Sequence, residues 1–135
     1  MANRSEVLTT VVSYVAEDAI TKNGWVKQGT GAHQVLFPAA ATDIALGIAL
    51  DDAAAGEEVA VLTEGRTWII DMDGTLVTGN AVIMGDGSTT PKTNHKAVLA
   101  VSGKAVSGVV VGEDAGAAGD LVLVEISAGY KPVLA

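Results

Sequence analysis

The sequence predicts an all-β fold: a compact antiparallel barrel or sandwich of short strands, with at most one short helix and an extended N-terminal arm. Three observations predict it. Valine, isoleucine and threonine supply 38 of the 135 residues, and β-branched side chains suit a pleated surface better than a helix. Glycine occurs 16 times and cuts the chain into apolar runs of about four to eight residues, the length of a strand. The chain is 49% hydrophobic but only 4% aromatic, so valine, isoleucine, leucine and alanine must build the core.

Residues 1–15 read as the arm, with strand character over Val7–Val15 in the run VLTTVVSYV. Residues 16–135 read as a single β-rich domain. Gly24–Gln28 and His33–Phe37 flank a Gly29-Thr30-Gly31 turn, and Ile44–Leu50 follows. In Glu58–Thr63, Val59 and Val61 fall on one face and Ala60 and Leu62 on the other, the alternation of a strand. Arg66–Asp71 comes next, set off by Gly65. Asp73-Gly74 between apolar runs signals a hairpin, and Ala81–Met84, Ala97–Val101, Ala105–Val111 and Leu121–Ile126 complete the set. The alanine triplets at 39–41 and 53–55 favour helix, but each is too short to hold one and glycine interrupts both windows. One helical turn near Asp51–Ala55 is expected.

Residues 47–61 read GIALDDAAAGEEVAV and residues 108–124 read GVVVGEDAGAAGDLVLV. Each is a glycine, an apolar triplet, an acidic alanine-rich turn, a Gly-acid pair and an apolar strand. A weaker echo precedes each, GWVKQGTG at 24–31 and GNAVIMGDG at 79–87. The expectation is two related β units, about 19–63 and 77–126, sharing one core.

Acids outnumber bases 16 to 8, for a net charge of −8. Such a surface repels phosphate backbones and anionic lipid, so neither nucleic acid nor membrane is an expected partner. Cysteine is absent, which removes disulfides, thiolate metal sites and a cysteine nucleophile. No apolar run approaches the roughly 20 residues of a membrane span, and MANRSEVLTT lacks the apolar stretch of a signal peptide. A soluble protein made in a cytoplasm is expected.

TWIIDMDGTLV at 67–77 resembles the first motif of the haloacid-dehalogenase phosphatases. That resemblance would make Asp71 the phosphoryl-accepting nucleophile and Asp73 the general acid/base, with Mg²⁺ shielding the carboxylate from an anionic substrate. Ser102, Lys104 and the acidic run at 112–120 would supply the later motifs. The surroundings oppose it. Only 60 residues follow Thr75 without an amphipathic helix, whereas each βαβ unit of that fold takes about 30. Ser102 and Lys104 leave no room for the helix and strand between those motifs. His33 and His95 stand 62 apart without acidic neighbours at ligand spacing. Asp51-Asp52, Glu57-Glu58 and Glu113-Asp114 lack the spacing of a dedicated Ca²⁺ loop and read as solvated turns. No catalytic, cofactor-binding or metal-ligating residue is assigned, and no enzyme is expected.

GWVKQGTG, then ATDIALGIALDDAAAGEEVAVLTEGRTW, then GTLVTGNAVI, then SGVVVGEDAGAAGDLVLVEI form an order that resembles the small capsid decoration (cement) proteins of tailed bacteriophages. The likeness covers roughly residues 19–126. It implies a β-rich, non-enzymatic virion protein, trimeric on the capsid. Such a protein binds the outside of the expanded head at threefold or quasi-threefold sites and clamps neighbouring major capsid subunits. It implies that the N-terminal arm makes part of the contact, here Arg4, Glu6, Leu8, Thr10, Val12 and Tyr14. Trp25 and Trp68 are added as candidates for a capsid or subunit contact, because tryptophan is enriched at interface hot spots. Two rivals stand beside this reading: the Mg²⁺-dependent phosphohydrolase, and another β-rich virion component such as a head fibre or tail module.

Overall fold

The computed structural model describes residues 6–38, 45–70, 81–84, 96–99, 108–112 and 117–126. They form nine strands: β1 (Val7–Ala16), β2 (Trp25–Gln28), β3 (Gln34–Leu36), β4 (Gly47–Ala49), β5 (Glu58–Ile70), β6 (Ala81–Met84), β7 (Ala97–Leu99), β8 (Gly108–Val110) and β9 (Leu121–Ile126). No helix occurs among the described residues. The all-β expectation holds, with one change: the sheet is mixed, because β1 and β3 pair in parallel through Val15–Gln34 and Ala16–Val35. The other pairings between named strands are antiparallel.

The order is β1-β3-β2-β4-β5-β9-β8-β6-β7, and β1 also pairs with β5. The first five strands therefore close into a ring. Its interior is filled by Ala16, Val26, Val35, Ala49, Val59 and Val61, with Ile20 and Ala53 from the connecting loops. Side chains alternate across a strand, so the next residues point the other way. Trp25, Ile48 and Leu62 leave the ring and meet Ile69, Val110, Val122, Val124 and Ile126 in a second core. Two-sided burial explains why β4 and the first half of β5 read as nearly continuous apolar runs.

The same pairing plan occurs twice. β2 pairs with β3 and β4, and β4 with β5; β6 pairs with β7 and β8, and β8 with β9. β1 runs antiparallel along the first half of β5, ending at Val15–Glu58. The second half of β5 does the same along β9, ending at Ile70–Leu121. One long strand thus serves both units: Glu58–Thr63 closes the first and Gly65–Ile70 opens the second. The equivalence begins before residues 19 and 77, with β1 matched to the second half of β5.

Equivalent positions obey the same local rules. Gly47 pairs beside Leu62 of β5, and a Cβ there would collide with the Leu62 carbonyl oxygen. At the matching Gly108, an added Cβ would lie 2.8 Å from the Glu125 carbonyl oxygen. The turns match too. The Glu57 N–H donates to the Ala54 carbonyl at 3.0 Å and the Asp120 N–H to that of Ala117 at 3.2 Å. Gly56 and Gly119 take φ of 87° and 91°, the third position of a type II turn. Each acid also accepts the N–H of the alanine that opens its turn, at 2.7 Å for Glu57 and 2.9 Å for Asp120.

Three expectations need correction. The helical turn near Asp51–Ala55 is instead a β-bridge between Ala53 and Ile20 followed by the Ala54–Glu57 turn; Gly56 supplies the positive φ that a turn uses and a helix does not. The expected strands Glu58–Thr63 and Arg66–Asp71 run together through Gly65 as β5, Glu58–Ile70, with Asp71 outside the described residues. That glycine is needed because the Val7 carbonyl of β1 approaches where a Cβ would stand, at φ 130°. The N-terminal segment is extended from Val7, but it is docked as β1 along β5 rather than standing off as an arm.

Gly47→Ala is expected to cost about 3 kcal/mol or more through overpacking against main chain. Gly56→Ala should cost only about 1–2 kcal/mol from its positive φ, because nothing lies within 4 Å of the added Cβ. Urea denaturation of both variants checks this; equal losses would show that the β4–β5 contact relaxes freely.

Candidate functional site

The pairing register lays Val7, Arg66, Glu125 and Val109 in one row across β1, β5, β9 and β8. Their side chains share the sheet face opposite the second core, since Thr67, Ile69, Val122 and Val124 alternate into it. On the outward face the Arg66 Nε donates to the Glu125 carboxylate at 2.8 Å. Around that pair stand exposed Val7, Val109 and Leu121 and half-buried Trp68 and Ile70. An open depression of about 190 Å³ lies where β1 crosses β5, lined by residues including Val7, Glu64, Arg66, Glu125 and Ile126.

The expected contact residues fall into different roles. Arg4 lies outside the described residues. The Glu6 carboxylate accepts a hydrogen bond from the hydroxyl of fully buried Thr67, so it anchors the start of β1 to β5. Leu8 and Thr10 are exposed, and the Thr10 carbonyl accepts from the Thr63 hydroxyl at 3.3 Å. Val12 is half-buried, and Tyr14 packs against the interior of the first ring. Trp68 lies half-buried on the outward face. Trp25 is a correction: at 1% exposure it is the largest fully buried side chain and sits in the second core. It presents no surface to a partner.

Asp71, Asp73, His95, Ser102, Lys104 and the Glu113-Asp114 pair lie outside the described residues. The described residues form the all-β sheet above, not the helix-flanked parallel sheet on which the phosphatase motifs are arranged. His33 occupies an exposed turn at φ 58°. Two of the described turn acids are engaged within the chain: Asp52 accepts the Lys22 N–H at 2.8 Å, and Glu17 accepts both the N–H and the hydroxyl of Thr30 at 2.7 and 2.9 Å. Among the described residues no three His, Asp or Glu side chains gather as a metal site, and no helix is long and apolar enough to cross a membrane.

Sequence reasoning missed the exposed apolar positions Val7, Val11, Val109 and Leu121. The available signal was a strand free of Lys, Arg, Asp and Glu from Val7 to Ala16 in an otherwise acidic chain.

No protein-family model and no curated protein matches the chain. Among solved structures, the fold is similar to the head fibre gp8.5 N base of bacteriophage phi29. The TM-score is 0.62 at 20% identity, over 87% of this chain and 93% of that one. A likeness at that identity establishes the fold.

Glu6→Ala should destabilise the protein by about 1–3 kcal/mol, because it leaves the buried Thr67 hydroxyl unpaired. Arg66→Ala, which breaks an ion pair between half-exposed groups, should cost under about 1 kcal/mol. Thermal melts of the two variants check the ranking; an Arg66→Ala loss as large as that of Glu6→Ala would contradict it.

Proposed function

We propose that this chain is a structural component of a tailed-phage head that acts by binding rather than catalysis. It sits on the outer surface of the expanded shell, where it clamps neighbouring major capsid subunits at threefold or quasi-threefold positions as a homotrimer. The observation that carries the reading is the likeness to a phage head-fibre base across nearly the full length of both chains. The exposed Val7, Leu8, Val11, Val109 and Leu121 support it, because an adhesive protein needs apolar surface on a rigid frame. The acidic composition suits the outside of a shell, away from packaged DNA.

A second reading, the base of a fibre projecting from the head, is favoured by the same likeness. The two differ in where copies sit and in whether the shell depends on them. β1 carries the proposed shell contact through Leu8 and Thr10, with Trp68 on the adjoining outward face. Removing residues 2–14 is not a usable test, since it would strip β5 of its partner and open the first ring.

The test is to add the purified protein to expanded, DNA-free heads of the phage that encodes it and to image them by cryo-electron microscopy. The clamp predicts density at threefold positions and a higher temperature for head disruption. Leu8→Glu should lower occupancy by about tenfold, the equivalent of 1.4 kcal/mol, with the melting temperature of the free protein unchanged. Projecting density without any gain in shell stability would establish the fibre reading, and no bound density would refute both.

A further inference from the structure

We infer that the free edge of β1 receives an extended strand of another protein, a strand uncharged in its middle and basic at its ends. The edge is the one borne by the proposed shell contact, yet the inference rests on its geometry alone and does not require a phage head.

Among the described residues β1 is paired along most of its length on one edge only. β5 covers that edge from Val7 to Val15, while β3 meets the opposite edge just at Val15 and Ala16. The direction of the remaining main-chain groups follows from two bonds. The Val15 N–H donates to His33 and the Glu17 N–H to Val35, both at 2.8 Å. Main-chain groups alternate sides residue by residue, and the register with β5 is regular from Val11 to Val15. The N–H and C=O of Val11 and Ser13 therefore face the same open side, where no described residue pairs with them.

The side chains fit that geometry. Val7, Leu8 and Val11 are 50%, 49% and 43% exposed, large values for apolar residues on one strand. Natural edge strands are usually blunted by charges or proline, and Val7–Ala16 contains neither. Such an edge suits strand addition, in which main-chain bonds give affinity and alternate side chains give selectivity.

Charge decides which strand. Carboxylates bracket the edge, Glu6 before it and Glu17 and Asp18 after it. If a second copy paired antiparallel with its Ser13 opposite Val11, its Asp18 would stand opposite Glu6. A parallel, in-register pair would set each acid beside its twin. Both alignments juxtapose like charges across strands, which is destabilising. A strand with Lys or Arg at its ends meets the opposite sign, which favours that partner over a second copy in these two alignments.

The experiment uses the full chain and two end-capped peptides, Lys-Val-Thr-Val-Thr-Val-Lys and its glutamate-ended counterpart, titrated by isothermal calorimetry at low salt. The lysine-ended peptide should bind at least about tenfold more tightly than the other, and less tightly as salt rises. Ser13→Pro removes only the outward N–H, a change edge strands tolerate. It should abolish binding while leaving the circular dichroism spectrum and melting temperature in place. Val12→Pro, whose N–H faces β5, should instead unfold the protein. Binding of neither peptide by the wild type, or undiminished binding by folded Ser13→Pro, would overturn the inference. So would a dimer seen by sedimentation that Ser13→Pro dissolves, which would make a second copy the occupant. None of these outcomes bears on whether the protein decorates heads, so the two ideas fail separately.

Discussion

The structure depends on a single strand being long enough to belong to two units. β5 gives its first half to the ring closed by β1 and β4, and its second half to the pairing with β9. A break at Gly65 would separate the units; continuity there fixes their relation through main-chain bonds rather than through a linker. The cost falls on Gly65, whose left-handed conformation and crowding by Val7 permit no side chain. Because the two units share β5, Trp25, Ile48 and Leu62 on the outer face of the first ring pack against Ile69, Val110, Val122, Val124 and Ile126 of the second unit. The two cores must therefore form together, and folding of the first unit alone would expose an indole.

The sequence carried much of this plan, for reasons that can be traced. The Gly-apolar-triplet and Ala-Ala-Gly-acid patterns mark positions where the backbone itself constrains the residue: a carbonyl pressing on Gly47 and Gly108, a positive φ at Gly56 and Gly119. Constraints of that kind leave visible letters. β1 and the second half of β5 are structural equivalents with no such letters between them, so the repeat read from sequence began a strand too late. Gly65 misled for a related reason. A glycine that ends a strand and one that admits a neighbouring main chain look the same in one dimension.

Trp25 shows the other limit. Its size and rarity suggested a contact, yet it is buried in the second core, where an aromatic side chain buries more apolar area than any aliphatic could. Among the described residues its Nε1 has no hydrogen-bond partner, a penalty of about 1–3 kcal/mol for a buried donor, which its apolar burial has to offset. Nothing in the sequence marks which tryptophan will find a core deep enough to outweigh that penalty. The surface candidates fared differently: Leu8, Thr10 and Trp68 are accessible in whole or part, while Glu6 turned out to be an anchor.

An open, uncharged edge is a liability in any concentrated solution, because its free main-chain groups and exposed valines suit aggregation as well as recognition. Keeping it requires some device against self-pairing. Lysines along the strand would serve, but they would also block an incoming partner. Carboxylates confined to the two ends do not, since they repel a copy of this chain while leaving the middle of the strand open to a partner of opposite sign. On that argument the net charge of −8 is more than a solubility feature. Its distribution leaves Val7–Ala16 uncharged, where contact is wanted, and places Glu6 before the strand and Glu17 and Asp18 after it, where the alignments above would bring them together.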